Sequence, residues 1–160
     1  MERNDFQAPG TLETDSVEVR TLSPDDLAWM VRIDAEHSGR SRTPYYQLKL
    51  AEAQRDTGVR VSLAALVHGE PAGFLMARTY HGEFGLPEPV AVLDSIAVSR
   101  AASGHHVGEA LLRQLVVNLR ALGIATIQTQ VEWEQMALIG FFQHEGFRPA
   151  ARLCLELSLD

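Results

Sequence analysis

The sequence predicts an α/β domain, a mixed sheet with helices packed on it. Three observations lead there. A length of 160 residues suits one ordinary domain, and 46% hydrophobic against 22% charged residues allow a real core. Residues 59–98 hold three apolar runs separated by turn signals. Residues 90–159 then alternate strand and helix patterns. The full predicted order is β-α-α-β-β-β-α-β-α-β, with no repeat and no dividing linker.

The elements follow in turn. Residues 1–16 are polar, hold Pro9 and Gly10, and are expected to form a loose tail before a single domain over 17–160. Val17 to Leu22 alternates as a first strand. Ser23 suits a helix cap, Pro24 its first position, and Asp25 and Asp26 its positive end. That helix runs to about Gly39. Thr43-Pro44 opens a second helix, which stops near Gly58.

Val59 to Val67 is a strand, His68 to Pro71 a turn, and Ala72 to Ala77 the return strand. Gly82 to Pro87 is a loop. Val90 to Val98 is apolar almost throughout, which predicts a strand at the centre of the sheet, with Asp94 its one charge. Val107, Ala110, Leu111, Leu115, Leu119 and Leu122 fall at helical spacing, and Gly123 is a stop. Ile124 to Val131 alternates as a strand. Glu132 to Glu145 reads as a helix ended by Gly146, and Phe147 to Leu159 as a closing strand interrupted by Pro149.

Composition excludes several function classes. The net charge of -7 argues against a nucleic-acid binder, which needs a basic surface. A mild acidic excess suits an amine substrate and suits solubility equally. No apolar run approaches the roughly 20 residues of a membrane span. Met1-Glu2-Arg3-Asn4-Asp5 has no apolar stretch after it and is not a secretory signal. One cysteine, Cys154, permits neither an intrachain disulfide nor a multi-cysteine metal cage. It is expected to face the core from its strand. The expected compartment is the cytoplasm.

The chemistry concentrates between Leu93 and Leu112. A strand leads through Ser103-Gly104-His105-His106-Val107-Gly108 into a strong helix. A helix start offers unpaired N–H groups and a positive dipole end, and small residues let a pyrophosphate approach them. The same residues also fit a plain tight turn. His105 and His106 are either solvated or within reach of a phosphate.

This strand, loop and helix resemble the central motif of the GNAT superfamily of N-acetyltransferases. That motif is Val-x-Pro-x-x-Arg/Gln-Gly-x-Gly-Val/Ile-Gly/Ala-x-x-Leu. Phe141-Phe142-Gln143-His144-Glu145-Gly146-Phe147 resembles the closing Leu-Tyr-x-x-x-Gly-Phe of the same family, and the two motifs stand in the expected order. Residues from about 17 to 157 fit the family's element order. The resemblance implies a GNAT-like acyl-CoA N-acyltransferase fold with acetyl-CoA as acyl donor. It implies cofactor contacts from Ile96, Ala97, Val98, Ser103, Gly104, His105, His106, Val107, Gly108, Glu109 and Phe142. The acceptor is then a primary amine of a small molecule or protein, lined by Glu36, Arg40, Tyr45 and Tyr46 between the first two helices.

Departures from the pattern bear on activity. Arg100 stands where the family often has Pro, Ser103 replaces Arg or Gln, and His106 replaces a Gly. Phe142 stands where a Tyr often protonates the leaving thiolate, and it has no proton to give. An amine must lose a proton to attack, and a carboxylate can take it. Asp94 and Glu83 are the candidates. Asp94 has a second reading as an inward carboxylate holding backbone or an Arg, and Glu83 as an exposed loop acid. An enzyme is expected; the alternative is a GNAT-fold module that binds CoA or a partner without transfer, which His106 and Phe142 favour. An exposed edge strand offers a surface for a homodimer.

Overall fold

The computed structural model describes residues 17–55 and 61–159, and the predicted tail lies outside them. The chain divides into two units, Met1–Gln128 and Thr129–Asp160. The element order is β1 (Val17–Thr21), α1 (Leu27–Ser38), α2 (Thr43–Arg55), β2 (Leu63–Val67), β3 (Glu70–Tyr80), β4 (Val90–Val98), α3 (Val107–Ala121), β5 (Ile127–Thr129) and α4 (Met136–His144). The strands form one mixed sheet in the order β1-β2-β3-β4-β5. β1 to β4 pair as antiparallel neighbours. No described helix is long and apolar enough to cross a membrane.

Local chemistry sets the helix ends. Ser23 Oγ accepts from the Asp25 N–H, and the Asp26 carboxylate accepts from the Ser23 N–H at 2.8 Å. This capping box closes a short 3-10 turn at Pro24–Asp26, from which α1 continues. Gly39 takes the left-handed conformation, φ 70°, that ends α1. Trp29, Met30 and Ile33 of α1 and Tyr46 and Leu50 of α2 are buried against Ala64, Phe74 and Met76 of the sheet. Phe74 meets Trp29 and Tyr46 edge-on, at 6.2 and 5.4 Å between centroids.

Successive strand residues face opposite sides. Phe74 and Met76 face α1 and α2, so Gly73 and Leu75 face the other layer. There α3 buries Val107, Leu111, Leu115 and Leu119, a row at four-residue spacing. Gly73 is what lets that layer close. A Cβ there would stand 2.8 Å from the Ala97 carbonyl oxygen and 3.0 Å from Val107 Cγ1.

Two buried carboxylates fix the α1 side. Asp26 takes both guanidinium nitrogens of Arg20 at 2.8 Å and the Trp29 indole N–H at 2.9 Å. Asp34 takes Arg42 Nε at 2.8 Å, a second bond from Arg42 Nη2, the Tyr46 hydroxyl at 2.8 Å and Ser38 Oγ at 3.2 Å. Burial alone would raise the Asp34 carboxyl; the bonds from Arg42 and Tyr46 outweigh it and hold it below its ordinary value. Burial, with the bond to Asp34, pushes the Tyr46 phenol up.

The second unit holds α4 and a ring cluster. Phe142 packs on Phe141 and Phe147 at 5.4 and 4.9 Å. The Phe147 N–H donates to the Phe142 carbonyl at 2.9 Å, and Gly146 has φ 90°.

Five expectations need correction. β3, not β4, is the central strand, and the half of β4 after Leu93 is only half-buried. The helix expected from Glu132 begins at Met136, because residues 132–135 form a turn closed by Gln135 N–H to Glu132 O. The strand expected over 124–131 narrows to Ile127–Thr129. Residues 147–159 form no strand: Pro149 has no N–H to give a ladder, and Leu153, Leu155, Leu157 and Leu159 are exposed, as is Cys154. The end of the second helix and the start of the following strand, residues 56–60, lie outside the described residues.

Two predictions follow from this packing. Gly73→Ala lowers stability by about 1–3 kcal/mol in urea unfolding, because the backbone at Ala97 cannot yield as a side chain would. Asp34 contributes stability that is fully present above the ordinary carboxylate value of 3.8 and is lost as pH falls through its lower folded value. Urea midpoints measured against pH therefore fall on the acid side of 3.8. Asp34→Asn costs about 3 kcal/mol at neutral pH and makes that acid limb shallower.

Candidate functional site

The site begins with an irregularity in β4. Met76 pairs with Ser95 and Ala77 with Leu93, so Asp94 is an extra residue between consecutive partners. Such a bulge bends the strand and re-aims the side chain. Asp94 is thereby turned into a cleft of about 290 Å³ lined by α2 and β3, with Leu50, Ala53, Val61 and Met76 as apolar wall. Its Oδ2 meets Arg78 Nε at 3.1 Å and Lys49 Nζ at 3.8 Å. Both nearest approaches are thus to the same oxygen.

The neighbours are held in place as well. The Arg78 guanidinium lies over the Tyr80 ring, 4.7 Å from its centroid. Lys49 also meets Glu52 at 3.4 Å. The Tyr45 hydroxyl lies 3.3 Å from Ser95 Oγ, one residue past the bulge.

The end of β4 is tied to the last turn of α1. The Glu36 carboxylate accepts from the Arg100 N–H at 2.7 Å and from Ser99 Oγ at 3.3 Å. His37 Nε2 donates to the Val98 carbonyl at 2.7 Å. Two adjacent side chains thus clamp both sides of the junction between strand and loop.

Beyond the junction, Ser99 caps a 3-10 turn at Arg100–Ala102, and Gly104 has φ 87°. His106 sits at the helix cap with φ 56° and ψ 31°. Left-handed backbone is rare outside Gly, and His tolerates it better than most residues. No side chain caps α3, so its first-turn N–H groups are left to other acceptors. His106 Nδ1 lies 3.1 Å from Glu109 Oε1, which places a carboxylate beside the helix start. The loop fits a phosphate through its backbone and Gly104.

The predicted acceptor residues are only partly brought together. Tyr45 borders Asp94 through Ser95. Tyr46 is 1% exposed and belongs to the core, where Asp34 holds its hydroxyl. Glu36 spends both carboxylate oxygens on the loop junction. Arg40 is exposed just after the helix end. The Glu83 side chain lies outside the described residues; its backbone belongs to a 3-10 turn. Ile96, Ala97 and Val98 are half-buried on β4 after the bulge, and Ser103, Gly104 and His106 are exposed. Phe142 lies on α4 in the second unit.

Sequence reasoning missed Lys49 and Arg78, and it grouped His37 with the acceptor residues rather than with the loop junction. A signal existed for the first two. Lys49 stands four residues after Tyr45, on the same helix face, and Arg78 is the one charge late in the β3 apolar run.

Known proteins share this fold. The model of the Acetyltransferase (GNAT) family matches residues 25–147. A mycothiol acetyltransferase of Beutenbergia cavernae is 30% identical over 128 residues, covering 78% of this chain and 41% of that protein. The chain therefore spans about two fifths of that relative's length. A transcriptional regulator from Bacillus halodurans C-125 superposes with a TM-score of 0.75 at 20% identity, over 90% of this chain and 100% of the other. The aminoglycoside N-acetyltransferase AAC(6')-Iy, in complex with CoA, superposes with a TM-score of 0.75 at 16% identity, over 91% and 96% of the two chains. These two likenesses concern the fold alone. The family match runs through the bulged strand, the loop and α3, and on it the chain belongs to the GNAT acetyltransferase family.

Proposed function

We propose that this chain transfers an acetyl group from acetyl-CoA to a primary amine of a small molecule. One observation carries the reading. The bulge turns the Asp94 carboxylate into a cleft on the strand that leads to the loop. The functional domain we propose runs from residue 17 to 160, because the family match crosses from the first unit into the second.

The group supplied by acetyl-CoA is a thioester acyl: a C–N bond forms and the C–S bond breaks, and an acceptor that binds as its ammonium loses two protons, one before attack and one as the amide forms, of which one ends on the thiol and the other in water. The chain's residues bind and position. The uncapped start of α3 and Gly104 would hold the phosphates. Asp94 receives the amine as a hydrogen-bond acceptor and takes its proton. From Asp94 the proton passes on to water. With Phe142 at the position of the family's Tyr, the leaving thiolate takes its proton from water; a thiol pKa near 8.5 makes it a fair leaving group.

A second reading, binding without transfer, draws on His106 and Glu109. The His106 ring lies 3.1 Å from the Glu109 carboxylate at the start of α3, a contact that the family's glycine at that position could not make.

An amine panel assayed by free-thiol release separates the two. Turnover on some amine is expected, with Asp94→Asn lowering kcat by roughly a hundredfold. Undiminished turnover in Asp94→Asn removes that residue from its role, and no turnover on any amine leaves the binding module. The junction clamp generates a separate expectation. Glu36→Ala removes a charge-assisted bond to the Arg100 N–H, so the KM for acetyl-CoA rises roughly tenfold while kcat changes little. Initial rates at varied acetyl-CoA measure both.

A further inference from the structure

We infer that the cleft beside Asp94 selects an amine that also carries a carboxylate, with Arg78 as its anchor and Lys49 as second cation. The inference rests on the transfer reading above and names the class of acceptor for that same site.

Arg78 approaches Asp94 most closely through Nε, at 3.1 Å. Its two Nη groups, with four N–H donors, make no hydrogen bond among the described residues. The side chain is 43% exposed, so a ligand can reach it. The Tyr80 ring beneath the guanidinium and Asp94 at its Nε fix the plane on two sides. A guanidinium fixed in that way offers a forked pair of donors, the geometry that matches a carboxylate. Lys49 is 15% exposed and reaches the same Asp94 oxygen, so it adds positive potential without leaving the wall.

The rest of the cleft sets the other features of the acceptor. Leu22, Leu50, Ala53, Val61 and Met76 present an apolar wall. A volume of about 290 Å³ lies at the small end of ligand cavities, suited to an amino-acid-sized molecule. The acidic groups bordering it, Asp94 and Glu52, are each already paired with a cation. With one ammonium at Asp94, a further cationic group of a polycationic amine would meet Arg78 and Lys49. An amino acid meets a complement at each end, its ammonium at Asp94 and its carboxylate at Arg78.

The test compares matched pairs, each apolar amino acid against its carboxamide, by free-thiol release in the wild-type protein. The carboxylates are expected to show a kcat/KM about tenfold higher, expressed mainly in KM. In Arg78→Gln the KM values of each pair converge. Lys49→Gln narrows the gap without closing it. Carboxamides that equal or exceed the carboxylates in the wild type overturn the inference, as does an Arg78→Gln protein that keeps the preference. If other amines turn over while no amino acid does, the transfer reading stands and this inference falls. If no amine releases thiol, the transfer reading falls, and calorimetric titration of the same pairs decides here. Tighter carboxylate binding upholds the Arg78 anchor, and equal binding removes it.

Discussion

Asp34 organises the half of the molecule on which the site depends. Its carboxylate is nearly buried and receives four hydrogen bonds, from Ser38 of α1, Tyr46 of α2 and, twice, Arg42 of the connection between them. A buried charge is costly, and an ion pair of this kind adds little net stability over apolar packing. What it supplies is geometry. The Asp34–Arg42–Tyr46 set fixes the register of the two helices, and each then presents two useful side chains to β4. α1 gives Glu36 and His37 to the end of the strand, and α2 gives Tyr45 and Lys49 to its bulge. Loss of Asp34 would leave Arg42 uncompensated and both helices free to slide.

The bulge is the second constraint. A regular ladder would leave a single alternation from Val90 to Val98, with residue 94 on a fixed face. One extra residue resets that alternation. Asp94 and Ser95 then both reach side chains on the helix side, Lys49 and Tyr45. The residues past the bulge meet Gly73 and the first turn of α3, where the absence of a Cβ allows close approach. Cleft and loop thus hang from one strand, and small displacements in it reach both.

Much of the first unit was legible in the sequence, because its signals are local. Ser23-Pro24-Asp25-Asp26 announced a helix start, Gly39 and Gly123 announced ends, and the apolar spacing of α3 announced its buried face. Pairing is not local, and there the reading broke down. Residues 153–159 alternate as a strand should, yet alternation states only that two faces differ, not that a partner exists. The site shows the same division. Asp94 stood out as a lone charge in an apolar run, and its alternative reading, a carboxylate holding an Arg, matches its contact with Arg78. Tyr45 and Tyr46 are adjacent and chemically alike, so only helix phase separates the one beside the cleft from the one in the core. Glu36 could not be assigned to the loop junction, because its partners lie more than 60 residues away.

The contact with Arg78 also fixes how Asp94 is presented. The nearest atoms of both cations, Arg78 Nε and Lys49 Nζ, approach its Oδ2. The carboxylate is thereby anchored from β3 and from α2 while its residue lines the cleft. An oriented acceptor is suited first to drawing in an ammonium and only then to receiving its proton. On the proposed reading, recognition of the amine and its deprotonation are successive uses of one carboxylate, and the cations that anchor it also form the wall that receives the other end of the acceptor.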